Sequence, residues 1–203
     1  MQTSTQLSAC FYLMDGVEVL DFAGPMEVFA LAGIRVFTVA LTKEPVLSQG
    51  ILKVLPDYDL TDVPPANILA VFGGNPASFR NDALIDWIRR YESHTDHVFS
   101  VCSGAFALGH AGLLDGRQAT TFHSRIEELR AAFPNVTVLS DVRFIDNGRI
   151  ITTAGISAGI DGALHLVSKL KGEAAAKAVA EEMEYDRWIP KDGFVTNPKQ
   201  PVL

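Results

Sequence analysis

An α/β fold, with a largely parallel central sheet, helices on both faces and a small antiparallel hairpin, is what the sequence predicts, on three observations. Apolar, β-rich runs alternate with helix-like runs from about residue 7 to about residue 185, and repeated strand–helix alternation returns each strand in the same direction. The strand-like runs are short and apolar almost throughout, as strands covered on both faces read. Asn147-Gly148 lies between two short apolar runs, and Asn-Gly favours a tight hairpin turn.

The elements follow in order. Residues 7–13 are apolar and aromatic, with Cys10 among them, and read as a central strand. Residues 21–32 read as a helix with Pro25 in its first turn and Val28, Phe29 and Ala32 on the apolar face. Residues 35–41 form a β-rich run, residues 51–55 a weaker strand before the turn-rich stretch 56–66, and residues 67–72 a buried strand stopped by Gly73 and Gly74. In 81–91 Leu84, Trp87, Ile88 and Tyr91 share one helical face, with Asp82 and Asp86 early and Arg89 and Arg90 late, as the helix dipole prefers. A strand at 97–101, helices at 103–111 and 124–132 and a short strand at 136–139 come next. The hairpin is expected from 142–145 and 149–152, followed by helices at 158–170 and 173–185. Residues 190–203, with three prolines, a glycine and two lysines, read as an irregular strap or a partly ordered end.

The chain has 203 residues, 17 Lys and Arg against 24 Asp and Glu, and a formal net charge of -7. It is expected to form one domain over 1–203 with its core at about 7–185. With no long basic run, a duplex nucleic-acid footprint is not expected. A hydrophobic content of 48% argues against global disorder. No signal-peptide pattern and no stretch of 18 uninterrupted apolar residues occurs, so no membrane span is expected. Cys10 and Cys102 are too few for a disulfide framework or structural zinc, and a reducing, cytoplasmic setting suits them. No metal is implied, and the lack of a Gly-rich phosphate motif after the first strand speaks against a nucleotide cofactor.

In such folds ligands sit beyond the carboxyl ends of the strands. The sharpest signal there is Ser100-Val101-Cys102-Ser103-Gly104, where a strand runs into small residues and a helix leaves. This has the shape of a nucleophile elbow with cysteine in the nucleophile position. The helix starting at Ser103 is expected to lower the pKa of Cys102. The alternative is a packed structural cysteine. Gly73, Gly74 and Asn75, at another strand end, are expected either to aim backbone donors toward Cys102 as an oxyanion hole or to form only a tight turn before the helix. Asp15, Glu18 and Asp21 follow the first strand, and chemistry alone does not rank them: each is a proton-transfer partner, a loop acid or, for Asp21, a helix cap. Among the histidines, His123 after Phe122 is the best placed to line the site, and a plain helix-start role is its alternative. His94, His97, His110 and His165 are not placed there. In residues 155–161 Ser157 reads as a helix cap and the cluster as helix initiation against the sheet, with one wall of the pocket, Ile156 included, as its functional alternative.

Taken together, the phrase from Val19 to Pro25 followed by Glu27-Val28-Phe29, the Cys102-Ser103-Gly104 turn with residues 109–121, and residues 155–161 resemble the DJ-1/PfpI superfamily over nearly the whole of 7–185. The resemblance implies a flavodoxin-like three-layer sandwich, and it points to the branch that includes isocyanide hydratases and the sensory domains of AraC-type regulators. It implies that Cys102 is the nucleophile, that Asp21 lies against its thiol, and that Gly73 and Gly74 border the pocket, with Ser103 where the hydratases carry threonine. PfpI-type proteases place histidine directly after the cysteine, where Ser103 stands here. The branch often reads Thr-Thr-His-Trp where this chain reads Thr120-Thr121-Phe122-His123, so His123 is displaced by one position. The implied activity is hydration of a small electrophile, an isocyanide to an N-substituted formamide, with no cofactor and in a homodimer. The alternatives are a small-molecule or redox sensor without catalysis, and a glyoxalase-like activity on 2-oxoaldehydes.

Overall fold

The computed structural model describes residues 6–190 and 192–196, and the side chains of Pro76 and Ala77 are excluded. The main sheet has the order β12-β10-β11-β7-β6-β1-β2-β5, built from β1 (Ser8–Tyr12), β2 (Arg35–Ala40), β5 (Tyr58–Asp59), β6 (Ile68–Val71), β7 (His97–Ser100), β10 (Phe144–Asp146), β11 (Ile150–Thr153) and β12 (Phe194–Val195). All of its neighbouring pairs are parallel except β10 with β11, the Asn147-Gly148 hairpin. Two small two-stranded ladders lie outside it: antiparallel β3 (Val46–Ser48) with β4 (Leu52–Val54), and parallel β8 (Gln118–Ala119) with β9 (Thr137–Val138).

Helices α1 (Val19–Leu31), α5 (Ala158–Lys171) and α6 (Glu173–Glu182) pack together, while α2 (Asp82–Glu92) and α3 (Ala105–His110) pack against each other; α4 (Ile126–Ala132) rests on β9. The pleat of β1 shows why both sheet faces are apolar. Phe11 meets Phe29 of α1 at a ring distance of 5.9 Å, and Tyr12, pointing the other way, meets Trp87 of α2 at 5.9 Å. Helix α2 is the element the sequence describes most fully: the Asn81 side chain accepts from Leu84 N–H at 3.1 Å, and Leu84, Ile85, Trp87, Ile88 and Tyr91 are buried.

Several boundaries differ from expectation. Helix α1 begins at Val19, so Pro25 is its seventh residue rather than part of its first turn. The helix survives because only the bond to the Asp21 carbonyl is lost there. The weaker strand at 51–55 is the second half of a hairpin whose first half, β3, pattern reading does not find. The expected helix at 103–111 opens with a 3-10 turn, Cys102–Gly104, and the one at 124–132 with another, His123–Arg125. The tail is not wholly irregular: β12 pairs with β10, and Thr196 N–H donates to Asp146 O at 2.9 Å. The rest of the expected strap, 197–203 and residue 191, lies outside the described residues.

Candidate active site

Four adjacent strands, β11, β7, β6 and β1, deliver their carboxyl ends to one place. Val101 leads from β7 into Cys102, which takes φ of 58°. Left-handed backbone costs a non-glycine residue about 1–3 kcal/mol and persists only where the surroundings impose it. Here Cys102 N–H donates to Ala154 O at 3.2 Å, and Thr121 Oγ1 donates to Cys102 O at 2.8 Å. Gly104 lets the outgoing turn lie on β6: a Cβ there would stand 2.4 Å from Val71 O.

Opposite the sulfur sits Asp21, the third residue of α1 and fully buried. It is not the helix cap; the carboxylate accepts Gly73 N–H at 3.0 Å through Oδ2 and hydrogen-bonds the Cys102 thiol. The Gly73 carbonyl in turn accepts Glu18 N–H at 3.0 Å, tying the start of α1 to the end of β6. A Cβ at position 73 would lie 2.6 Å from Asp21 Oδ2 and 2.8 Å from Cys102 Sγ. The missing side chain at 73 is what allows acid and sulfur to meet.

Burial, assisted by the nearby Glu18 charge, pushes the Asp21 carboxyl up to about 7, against the pull of the Gly73 N–H. Burial and the Asp21 carboxylate push the Cys102 thiol up to about 12, while the Ser103 N–H and hydroxyl favour the thiolate. The expected lowering of the Cys102 pKa is therefore reversed. Cys102 is buried, with 8% of the residue exposed, it faces an acid, and the helix it leads into has only six residues. Below about pH 7 the two groups together hold two protons and above it one, a property of the pair.

The oxyanion-hole expectation for Gly73 and Gly74 is also corrected. Gly73 N–H is committed to Asp21, and Gly74 N–H donates to Ser103 Oγ at 3.3 Å. Ser103 N–H is the backbone donor that faces the sulfur. Asn75 is exposed, and its carbonyl accepts Ser78 N–H at 3.0 Å in the next turn. His123 is exposed and touches the Phe122 ring at 4.4 Å, not the thiol–acid pair. Phe122 lies against Gly155, beside Ile156, whose backbone N–H faces Asp21. Of the acids, Asp15 is spent on Leu47 N–H at 2.8 Å, and Glu18 is hydrogen-bonded by Gln49 Nε2. Gln49 Oε1 also accepts Val19 N–H at 3.3 Å, so the β3–β4 hairpin braces the turn that carries Asp21. Sequence reading misses this brace, because 30 residues separate Gln49 from Val19.

The family model for the DJ-1/PfpI family matches residues 7–169. The chain belongs to the DJ-1/PfpI family. Within that family it is 34% identical over 185 residues to the isonitrile hydratase of Pseudomonas putida, covering 90% of this chain and 80% of that protein. It is 29% identical to the HTH-type transcriptional regulator CdhR of Pseudomonas aeruginosa, over 89% of this chain but 56% of the regulator. Among solved structures, a ThiJ/PfpI family protein from Pseudomonas syringae superposes with a TM-score of 0.83 at 27% identity, covering 92% of this chain and 78% of that one. Drosophila melanogaster DJ-1beta superposes with a TM-score of 0.79 at 24% identity, over 89% and 98% of the two chains, and shares the fold. Both cysteines are free, and among the described residues no helix is long and apolar enough to cross a membrane.

Proposed function

We propose that this DJ-1/PfpI protein hydrates a small isocyanide to an N-substituted formamide, with Cys102 as nucleophile and Asp21 as proton carrier. The observation that carries this reading is a fully buried carboxyl, pushed up to about 7, hydrogen-bonded to a cysteine on a left-handed elbow. A group that gains and loses a proton near neutral pH is suited to general acid–base work. Asp21 takes the thiol proton as Sγ bonds to the terminal isocyanide carbon, then gives that proton to the same carbon, leaving a thioimidate. Water adds to the thioimidate carbon as Asp21 accepts its proton. Asp21 passes that proton to nitrogen, the C–S bond breaks as the hydroxyl proton returns to sulfur, and the free cysteine and the formamide result. Ser103 N–H, which faces the sulfur, stabilises charge on it. Likeness to the isonitrile hydratase supports the choice of substrate class.

Turnover of a panel of isocyanides and 2-oxoaldehydes tests the reading. Formamide release is expected from the isocyanides, with Asp21→Asn slower by about 10²–10⁴-fold. Full turnover by Cys102→Ala would sink the mechanism. Conversion of only the oxoaldehydes would favour the glyoxalase-like alternative. The likeness to CdhR favours the second reading, a sensor, which predicts ligand binding or cysteine oxidation with no product from either class. A cytoplasmic location, suited to the two free thiols, is part of the proposal.

A homodimer is proposed as well. The hairpin that braces the α1 turn exposes Ile51 by 78% and has Leu55, 70% exposed, just after it, with Leu47 and Leu52 partly exposed beside them. A second copy of the chain is the partner always present to cover them. Sedimentation of a monomer at micromolar concentration would refute this.

A further inference from the structure

The segment leaving β11 touches both members of the thiol–acid pair. Ala154 O accepts the Cys102 N–H, and Ile156 N–H faces the Asp21 carboxylate, whose Oδ1 is buried without a hydrogen-bond partner. Ile156 holds φ of 54°. A β-branched residue takes that conformation only when its surroundings impose it. Phe122 presses from one side, since a Cβ on Gly155 would lie 2.1 Å from its ring. Arg143 holds the segment from another. Its carbonyl accepts Ala154 N–H at 2.9 Å; its Nη2 donates to Ser157 Oγ at 3.3 Å. Arg143 Nε donates to Asp161 Oδ2 at 2.7 Å, Nη2 reaches the same oxygen, and Tyr185 OH donates to Asp161 Oδ1 at 3.1 Å. One residue thus grips the turn at both ends, through its main chain at Ala154 and its side chain at Ser157. Asp161 is buried, and a buried ion pair is weak support for stability as such. What this pair visibly does is fix local geometry.

We propose that Arg143 is a positioning residue for the reacting pair: it clamps the 154–157 turn whose backbone supports the Cys102 elbow and faces the Asp21 carboxylate. This rests on the reading of Cys102 and Asp21 given above. A backbone N–H facing a carboxylate favours its ionised form, so a slackened turn leaves Asp21 protonated to higher pH. The titratable groups bearing on Asp21 are Cys102 from the elbow and Glu18 ahead of α1; the segments after β6 and β11 present backbone N–H groups to it.

The test is the pH dependence of Cys102 alkylation by iodoacetamide in the full chain, read by intact mass, with folding checked by thermal melting. The wild type is expected to show a rise centred near pH 7 that Asp21→Asn lacks. Arg143→Gln and Ser157→Ala are expected to move that rise upward by about half a pH unit. Arg143→Lys, which keeps the charge without the planar fork, falls between them and the wild type. Should Arg143→Gln not fold, because it strands the Asp161 carboxylate, the double variant Arg143→Gln/Asp161→Asn and Ser157→Ala decide the matter. Folded variants with an unmoved midpoint overturn the positioning role. A wild-type profile without the lower rise overturns the pair reading itself, and the role of Arg143 with it.

Discussion

Replacing Asp21 by asparagine should make the protein more stable in mild alkali, and by a calculable amount. The folded state holds the Asp21 proton up to about 7, whereas the ordinary carboxyl value is 3.8. Across that window the native chain binds more protons than the unfolded chain, so stability falls as pH rises. At about 1.36 kcal/mol per pH unit, an ionised Asp21 costs the native state about 4 kcal/mol once both states have lost the proton. About 3 kcal/mol of that falls between pH 5 and pH 8. Cys102 titrates well above this range and adds nothing to the difference. Asparagine keeps an oxygen for the Gly73 N–H and removes the charge. Urea unfolding of wild type and Asp21→Asn at the two pH values gives a double difference in which unrelated effects cancel. The variant should gain about 3 kcal/mol on the wild type between pH 5 and pH 8. Parallel stability–pH curves would show that the Asp21 proton is not held more tightly in the folded state, and the reasoning about the pair would fail.

Two further outcomes follow from the same geometry. Gly73→Ala would drive a methyl group to within 2.6 Å of Asp21 Oδ2 and 2.8 Å of Cys102 Sγ; it should cost about 1–3 kcal/mol in urea unfolding and lower isocyanide turnover by about 10²-fold, and wild-type values in both assays would refute the close packing. Cys10, fully buried and pushed up to about 12 by burial, should resist iodoacetamide in the folded chain, so a second mass adduct at the rate of the first would contradict its placement.

The sheet was legible where local pattern and burial agree. The β1, β6 and β7 runs are apolar because helices cover them on both sides, and α2 announces its cap, its apolar face and its charge polarity. β3, β5 and β12, of two or three residues each, carry no such pattern and exist because a neighbour offers the right register. Proline at the seventh position of α1 looked like a first-turn residue because nothing local shows that the Asp21 carbonyl can do without its partner. The elbow and the glycines bordering it could be read from residue type. The ownership of each glycine N–H depends on where Asp21 and Ser103 come to rest. The thiol pKa went the opposite way for the same reason: a helix start is a local fact, whereas burial beside a carboxylate is a fact of assembly. Arg143 gave no signal, since its partners Ser157 and Asp161 belong to the next helix.

The pairing of β12 with β10 bears on how the chain is made. A nascent polypeptide that has emerged only through α6 presents β10 with bare N–H and C=O groups on its outer side, and such a margin recruits other strands. Phe194 and Val195 occupy that margin, and Gly193 passes so close to Phe144 that a Cβ there would lie 2.2 Å from the ring. That edge of the sheet therefore stays open until residues 194 and 195 have been made and have folded back onto β10.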